Sequence, residues 1–171
     1  MRGVEETDVA AGDMVSMCSF RAGEGLFGID TGQIREVLGR ITPQHVPLAV
    51  NYIAGVVPYR GDVLTTVSFR VLLGLERGSG AGCVLVLDDD EGDLRFGLLV
   101  DEIGGVLTMS RDELQPNPSA LDARSMALFC GAYRMQTGLM VRLNSQSLRP
   151  SQLAECGLFD SAKHERAGIQ K

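Results

Sequence analysis

Phe27-Gly28-Ile29-Asp30-Thr31-Gly32-Gln33-Ile34-Arg35-Glu36-Val37-Leu38 aligns without gaps onto Phe96-Gly97-Leu98-Leu99-Val100-Asp101-Glu102-Ile103-Gly104-Gly105-Val106-Leu107, at an offset of 69. A second block, Gly55 with Val63, Leu64, Val67 and Ser68, matches Gly131 with Leu139, Met140, Leu143 and Asn144 at an offset of 76. Two blocks in the same order at similar offsets describe one duplicated unit, and a repeat changes the architecture to expect. The unit reads as a hairpin, a short helical or extended linker, then strand, turn and strand. Each half then holds about five short strands, a number that closes naturally into a small barrel without exposed sheet edges. The expected fold is mainly β, two pseudo-symmetric five-stranded barrels with a few short helices.

Working outward, Val15 to Asp30 forms a hairpin around Ala22-Gly23-Glu24-Gly25. Asp30 or Thr31 caps a short helix in which Ile34, Val37 and Leu38 recur at helical spacing. Ile53 to Val57 and Val63 to Phe69 flank the turn Pro58-Tyr59-Arg60-Gly61-Asp62, and Arg70 to Leu75 makes a helical turn. The Gly-rich stretch 77–82 reads as a linker, since no Lys-Ser or Lys-Thr follows it to cradle phosphate. Cys83 to Leu87 and Leu94 to Val100 pair around the acidic turn Asp88 to Asp93. Leu107 to Leu121, with Pro116 and Pro118, is an extended connection. Phe129 to Tyr133 and Leu139 to Leu143 form the last strand pair. Ser145 to Glu155 is a helix capped by Ser145 or Ser147, with Leu148 and Leu153 inward.

The expected organisation is a disordered segment 1–14, a first subdomain 15–76, a second 83–144, a C-terminal helix 145–155 and a flexible tail 156–171, with room for elements swapped between the halves. Gly28 and Gly97 each follow a phenylalanine inside a strand, where glycine marks a bulge or a close approach of another backbone.

Composition excludes several classes of function. A net charge of −6 in 171 residues opposes a phosphate-backbone interface, so no nucleic-acid partner is expected. No apolar stretch reaches the roughly 20 residues of a spanning helix, and Met1 to Asp13 lacks a secretory pattern, so the expected location is cytoplasmic, without membrane insertion. The four cysteines contain no Cys-x-x-Cys pair. Cys18, Cys83 and Cys130 read as small core residues inside strands, with Cys156 near the tail. The acidic turn lacks the spacing of a calcium loop, so no metal or cofactor is expected. His45 and His164 are the only histidines, and the pairs Asp101-Glu102 and Asp112-Glu113 are sequence neighbours whose side chains diverge in a strand. No catalytic set can be assembled from them, so the chain is not expected to be an enzyme.

Phe27-Gly28-Ile29-Asp30, Ile34-Arg35-Glu36-Val37, Ile53-Ala54-Gly55-Val56-Val57 leading to Tyr59-Arg60-Gly61, and Phe96 to Ile103 with Val106-Leu107 carry a wider similarity. In order and spacing they resemble the CheW family of chemotaxis coupling proteins, from about Phe20 to Leu153. The resemblance implies two SH3-like barrels around a shared core. It also implies an adaptor bridging chemoreceptor cytoplasmic tips and the regulatory domain of a CheA-type histidine kinase, with no reaction of its own. Its receptor-facing groove carries over to Ile34, Glu36, Val37, Arg60 and Val106. Ile34 and Val106 would be apolar anchors and Arg60 an orienting charge, and Gly55 and Gly61, with Gly28 and Gly97, would be structural turn glycines. The family usually has Asn-Leu-Arg-Gly at the turn and Asp-Leu-Arg after the next strand. Pro58-Tyr59-Arg60-Gly61 and Ser68-Phe69-Arg70 depart from that, so Arg60 is expected to lose polar bracing. The departures leave open a divergent array serving twitching or gliding motility or gene regulation, or a stand-alone regulatory coupling domain.

Overall fold

The computed structural model describes residues 13–88 and 95–159. Ten strands carry the fold: β1 Met14–Ala22, β2 Gly25–Asp30, β3 Ile34–Ile41, β4 Ile53–Tyr59, β5 Asp62–Ser68, β6 Gly82–Asp88, β7 Arg95–Val100, β8 Glu102–Ser110, β9 Phe129–Met135 and β10 Gly138–Leu143. Three short helices join them, α1 Phe69–Leu72, α2 Ala123–Leu128 and α3 Pro150–Cys156. The strands form two five-stranded sheets, ordered β8-β1-β2-β10-β9 and β3-β6-β7-β5-β4. Replacing β1 to β5 by β6 to β10, strand for strand, converts one order into the other, so the sequence repeat is a structural one.

The sheets do not follow the boundaries 15–76 and 83–144. The hairpin β1–β2 leaves its own half and pairs with β8 and, in parallel, with β10; β6–β7 does the same with β3 and β5. Two elements are thus exchanged between the halves, and three cores result. One inside the first sheet holds Val15, Met17, Tyr133 and Met140. One inside the second holds Val57, Tyr59, Leu64, Val84, Val86 and Leu99. The largest is shared and includes Phe20, Phe27, Val67, Phe69, Leu85, Leu98, Leu143 and Leu148. At its centre Phe69 meets Phe27 and Phe20 edge-on, with ring centroids 4.8 and 5.5 Å apart. Each fully buried Phe or Leu contributes on the order of 2 kcal/mol, so the shared core ties the two sheets into one folding unit.

The SH3-like barrels are not closed by continuous ladders. Each is joined by a single bridge, in which the chain leaving one end strand pairs with the opposite one: Gln44 with Val56 on β4, and Gln115 with Ala132 on β9. Gly55 and Gly131 make this seam possible. Both have φ of +147°, and a Cβ on either would overlap the carbonyl oxygen of Gln44 or Gln115. Gly55 is therefore a seam residue rather than a turn glycine. Gly28 and Gly97 are not turn glycines either; they sit inside β2 and β7 and are approached by side chains rather than backbone. A Cβ at Gly28 would lie 3.0 Å from the Met140 sulfur, and one at Gly97 2.6 Å from Val84 Cγ1. Only Gly61, at φ +79°, occupies a turn.

The helix expected after Asp30 is a single 3-10 turn, Thr31–Gln33, and Ile34, Val37 and Leu38 belong to strand β3. Burial there alternates, with Ile34, Glu36 and Leu38 turned in and Arg35 and Val37 out, as a period of two requires. The segment after Leu107 stays in β8 to Ser110 and then makes a 3-10 turn, Arg111–Glu113. The C-terminal helix is split: a 3-10 turn at Ser145–Leu148, then α3 started by Pro150, with Leu148 and Leu153 buried as expected. Helix α2, capped by Asp122, has no counterpart in the sequence reading. Of the cysteines placed in the core, Cys18 is buried and Cys83 half-buried, but the alternation of β9 turns Cys130 outward. The tail expected from 156 is ordered at its start. Phe159 is only 4 % exposed, belongs to the shared core and stacks under the Arg124 guanidinium at 5.1 Å. Most of segment 1–14, the acidic turn beyond Asp88 and residues from Asp160 lie outside the described residues.

Candidate functional site

β4 and β5 are joined by a two-residue turn in which Arg60 has φ +51° and Gly61 φ +79°, with Tyr59 paired to Asp62. Two successive positive φ angles give a turn whose twist matches the strands it connects. Glycine adopts that conformation freely. Arginine does not, and Arg60 is held in it by side-chain contacts. Its Nη2 lies 2.6 Å from Glu36 Oε1, its Nε donates to the Tyr59 hydroxyl at 3.0 Å, and the guanidinium sits over the Tyr59 ring at 5.4 Å. The Tyr59 hydroxyl in turn donates to Glu36 Oε1 at 3.2 Å.

Tyr59 is the pivot of this cluster, with its ring in the core of the second sheet and its hydroxyl at the surface. The hydrogen bond from Arg60, seconded by Tyr59, holds the Glu36 carboxyl below the usual carboxylate range, and the same partners raise Arg60. The expected loss of bracing at Arg60 is thus reversed: the residue that departs from the family pattern supplies it. Arg70 is anchored as well, by Asp101 at 2.7 Å, while Ser68 caps α1 through the Val71 amide.

The cluster occurs in one half only. At the repeat-equivalent positions the second half has Gly105 for Glu36, Met135 for Tyr59 and Gln136 for Arg60. The flanking apolar positions, by contrast, are duplicated. Val37 (46 % exposed) corresponds to Val106 (65 %), and Val63 (67 %) to Leu139 (54 %). In register, Val37 lies opposite Leu85 on β6, and Val106 opposite Cys18 on β1.

Of the residues read from sequence, the fold brings together Glu36 and Arg60. It leaves Val37 on the outer face of the same strand as Glu36 and sets Val106 in the other sheet. Ile34 is half-buried against the shared core, which gives it a packing role. Tyr59 was the residue missed; its place directly before Arg60-Gly61 was the available signal.

No group of His, Cys, Asp and Glu among the described residues is arranged to hold a metal ion. Burial pushes the Cys18 thiol up, away from nucleophilic reactivity. No helix among the described residues is long and apolar enough to cross a membrane.

The sequence profile described as the CheW-like domain matches residues 16–151. The chain belongs to the CheW-like family. It is 26 % identical over 139 residues to the chemotaxis protein CheW of Rhizobium meliloti, covering 81 % of this chain and 90 % of that protein. It is 20 % identical over 144 residues to the chemotaxis protein CheW of Treponema pallidum, covering 80 % and 82 %. The crystal structure of the scaffolding protein TtCheW from Thermoanaerobacter tengcongensis superposes with a TM-score of 0.68 at 19 % identity, over 78 % of this chain and 91 % of that one. That similarity shows a shared fold. CheW-like proteins are non-catalytic scaffolds and adaptors.

Proposed function

We propose that this CheW-like chain is a cytoplasmic scaffold that couples chemoreceptors to a CheA-type histidine kinase in a chemosensory array. The observation that carries this reading is the Glu36–Tyr59–Arg60 cluster. It fixes a cation at a turn tip, in a left-handed conformation that arginine does not favour, and it is confined to one half of a duplicated fold. Such an arrangement stabilises little by itself, since exposed ion pairs are worth little, but it orients a charge for a partner.

The duplicated exposed apolar positions, Val37 and Val63 in one sheet and Val106 and Leu139 in the other, support a docking role for each half. A bridging protein needs two faces. An apolar anchor rimmed by an oriented charge suits a receptor helix on the Arg60 side. The affinity of a receptor-tip fragment for the wild-type chain and for Arg60→Glu, measured with circular dichroism on both, tests the assignment. The reading requires at least tenfold weaker binding by a variant with unchanged spectrum. Equal binding by a folded Arg60→Glu would remove Arg60 from the interface.

A further inference from the structure

Arg21, Arg40, Arg70 and Arg77 line one open pocket of about 400 Å³. The whole chain has 16 Lys and Arg against 22 Asp and Glu, so four arginines in one concavity invert the sign of the molecule locally. Two carboxylates share the pocket, Asp101 and Glu102. The first is already engaged, because its Oδ2 accepts from Arg70 Nη1 at 2.7 Å and from the Gly23 amide at 2.8 Å. Once that pair is set aside, the Arg21 and Arg40 guanidinium groups face one carboxylate, Glu102. Arg21 and Arg40 form no ion pair among the described residues, whereas Arg35, Arg60, Arg70, Arg95 and Arg142 all do.

The guanidinium groups come from separate elements that the swapped topology brings together. Arg21 lies near the end of β1 in one sheet, Arg40 lies on β3 in the other, Arg70 is on α1 and Arg77 opens the glycine loop before β6. Two of them are pre-positioned. Arg70 Nε donates to the Glu76 carbonyl at 2.6 Å, and Arg77 Nη2 donates to the carbonyls of Asn51 and Ile53. Fixed guanidinium groups recognise phosphate by paired N–H donors and lose little entropy on binding. The pocket is within the size range of small-molecule sites, and its lining contains no apolar side chain larger than alanine. A membrane surface would call for apolar anchors at the rim, and a nucleic-acid strand for an extended basic track.

The geometry points to an anion site here for a small soluble phosphate-bearing molecule, held between the two sheets by Arg21 and Arg40 and oriented by Arg70 and Arg77. It is independent of the coupling role and would stand if that role failed. Binding reads out by calorimetric titration of the full chain with inorganic phosphate, pyrophosphate and a nucleoside monophosphate in 150 mM NaCl. The expected result is saturable binding that weakens with added salt, is about tenfold weaker in Arg21→Gln and in Arg40→Gln, and is about threefold tighter in Glu102→Gln. The gain in Glu102→Gln cannot come from unfolding, and backbone amide shifts at Gly23, Gly78 and Ser79 locate the ligand in the wild-type chain. The proposal is overturned by absence of saturable binding, by shifts that map elsewhere, by affinities unchanged in all three variants, or by adsorption to phosphatidylserine vesicles without binding of any of the three soluble probes.

Discussion

Replacing Gly55 by alanine tests whether the barrel seam holds the second sheet together. The perturbation is one methyl group, placed where the Gln44 carbonyl oxygen already sits and on a backbone with φ +147°. An L-residue forced into such a conformation costs about 1–3 kcal/mol. To admit the methyl, the Gln44 segment must withdraw. That movement breaks Gln44 N–H to Val56 O at 2.8 Å and Val56 N–H to Gln44 O at 2.9 Å. Each such bond contributes about 1 kcal/mol net, so the loss totals roughly 3–5 kcal/mol. Total stabilities of about 5–15 kcal/mol make that a large fraction. For a chain of this size the expected fall in Tm is about 12 °C. Gly131→Ala should behave alike, because the bridge between Gln115 and Ala132 is built the same way. Gly39→Ala is the control: no atom lies within 4 Å of its Cβ position, and the change should stay within about 0.5 kcal/mol. Calorimetry and urea unfolding measure all three. A Gly55→Ala protein within about 1 kcal/mol of wild type would refute the reasoning.

Further outcomes follow from single side chains. The Tyr133 hydroxyl is buried with no hydrogen-bond partner among the described residues, so Tyr133→Phe should match or exceed wild-type stability, by up to about 1 kcal/mol in urea unfolding. Phe159→Ala should cost about 3 kcal/mol by the same method, since the ring fills the shared core and meets Arg124; a neutral result would return Phe159 to the tail. The Glu36 carboxyl is held below its unfolded value of about 4.3, so its contribution is complete above that pH and lost as the pH falls through the lowered folded value. Carboxyl chemical shifts of Glu36 should therefore show it staying ionised to lower pH than an ordinary glutamate, and in Arg60→Gln the midpoint should move up.

How much of this was legible without coordinates depended on which physical signal each feature leaves. The duplication was readable because Phe27-Gly28 and Phe96-Gly97 satisfy the same packing demand twice, and Gly55 and Gly131 the same seam. Strand β3 was misread because Ile34, Val37 and Leu38 fall at helical spacing by chance. Its repeat partner carries Gly104-Gly105, poor helix formers, and that comparison would have corrected the reading. The exchange of hairpins between halves leaves no local trace, since β1 and β2 pair with each other whichever sheet they join. Helix α2 is a single capped stretch of six residues, too short for periodicity to register. At the site, Glu36 and Arg60 were visible as family positions, but their bond through Tyr59 depends on β3 and β4 meeting across the barrel, which is a tertiary fact. The arginine pocket is of the same kind, gathered from four segments with no shared motif.

The coupling role is tested most directly by reconstitution. Receptor cytoplasmic domains displayed on vesicles are mixed with a CheA-type kinase from the same organism, with and without this chain, and sedimentable kinase is measured. The account predicts that kinase sediments with the receptor vesicles only when the chain is present, and that Arg60→Glu abolishes this while remaining folded. Kinase that sediments equally without the chain, or a chain that binds neither partner, would contradict it.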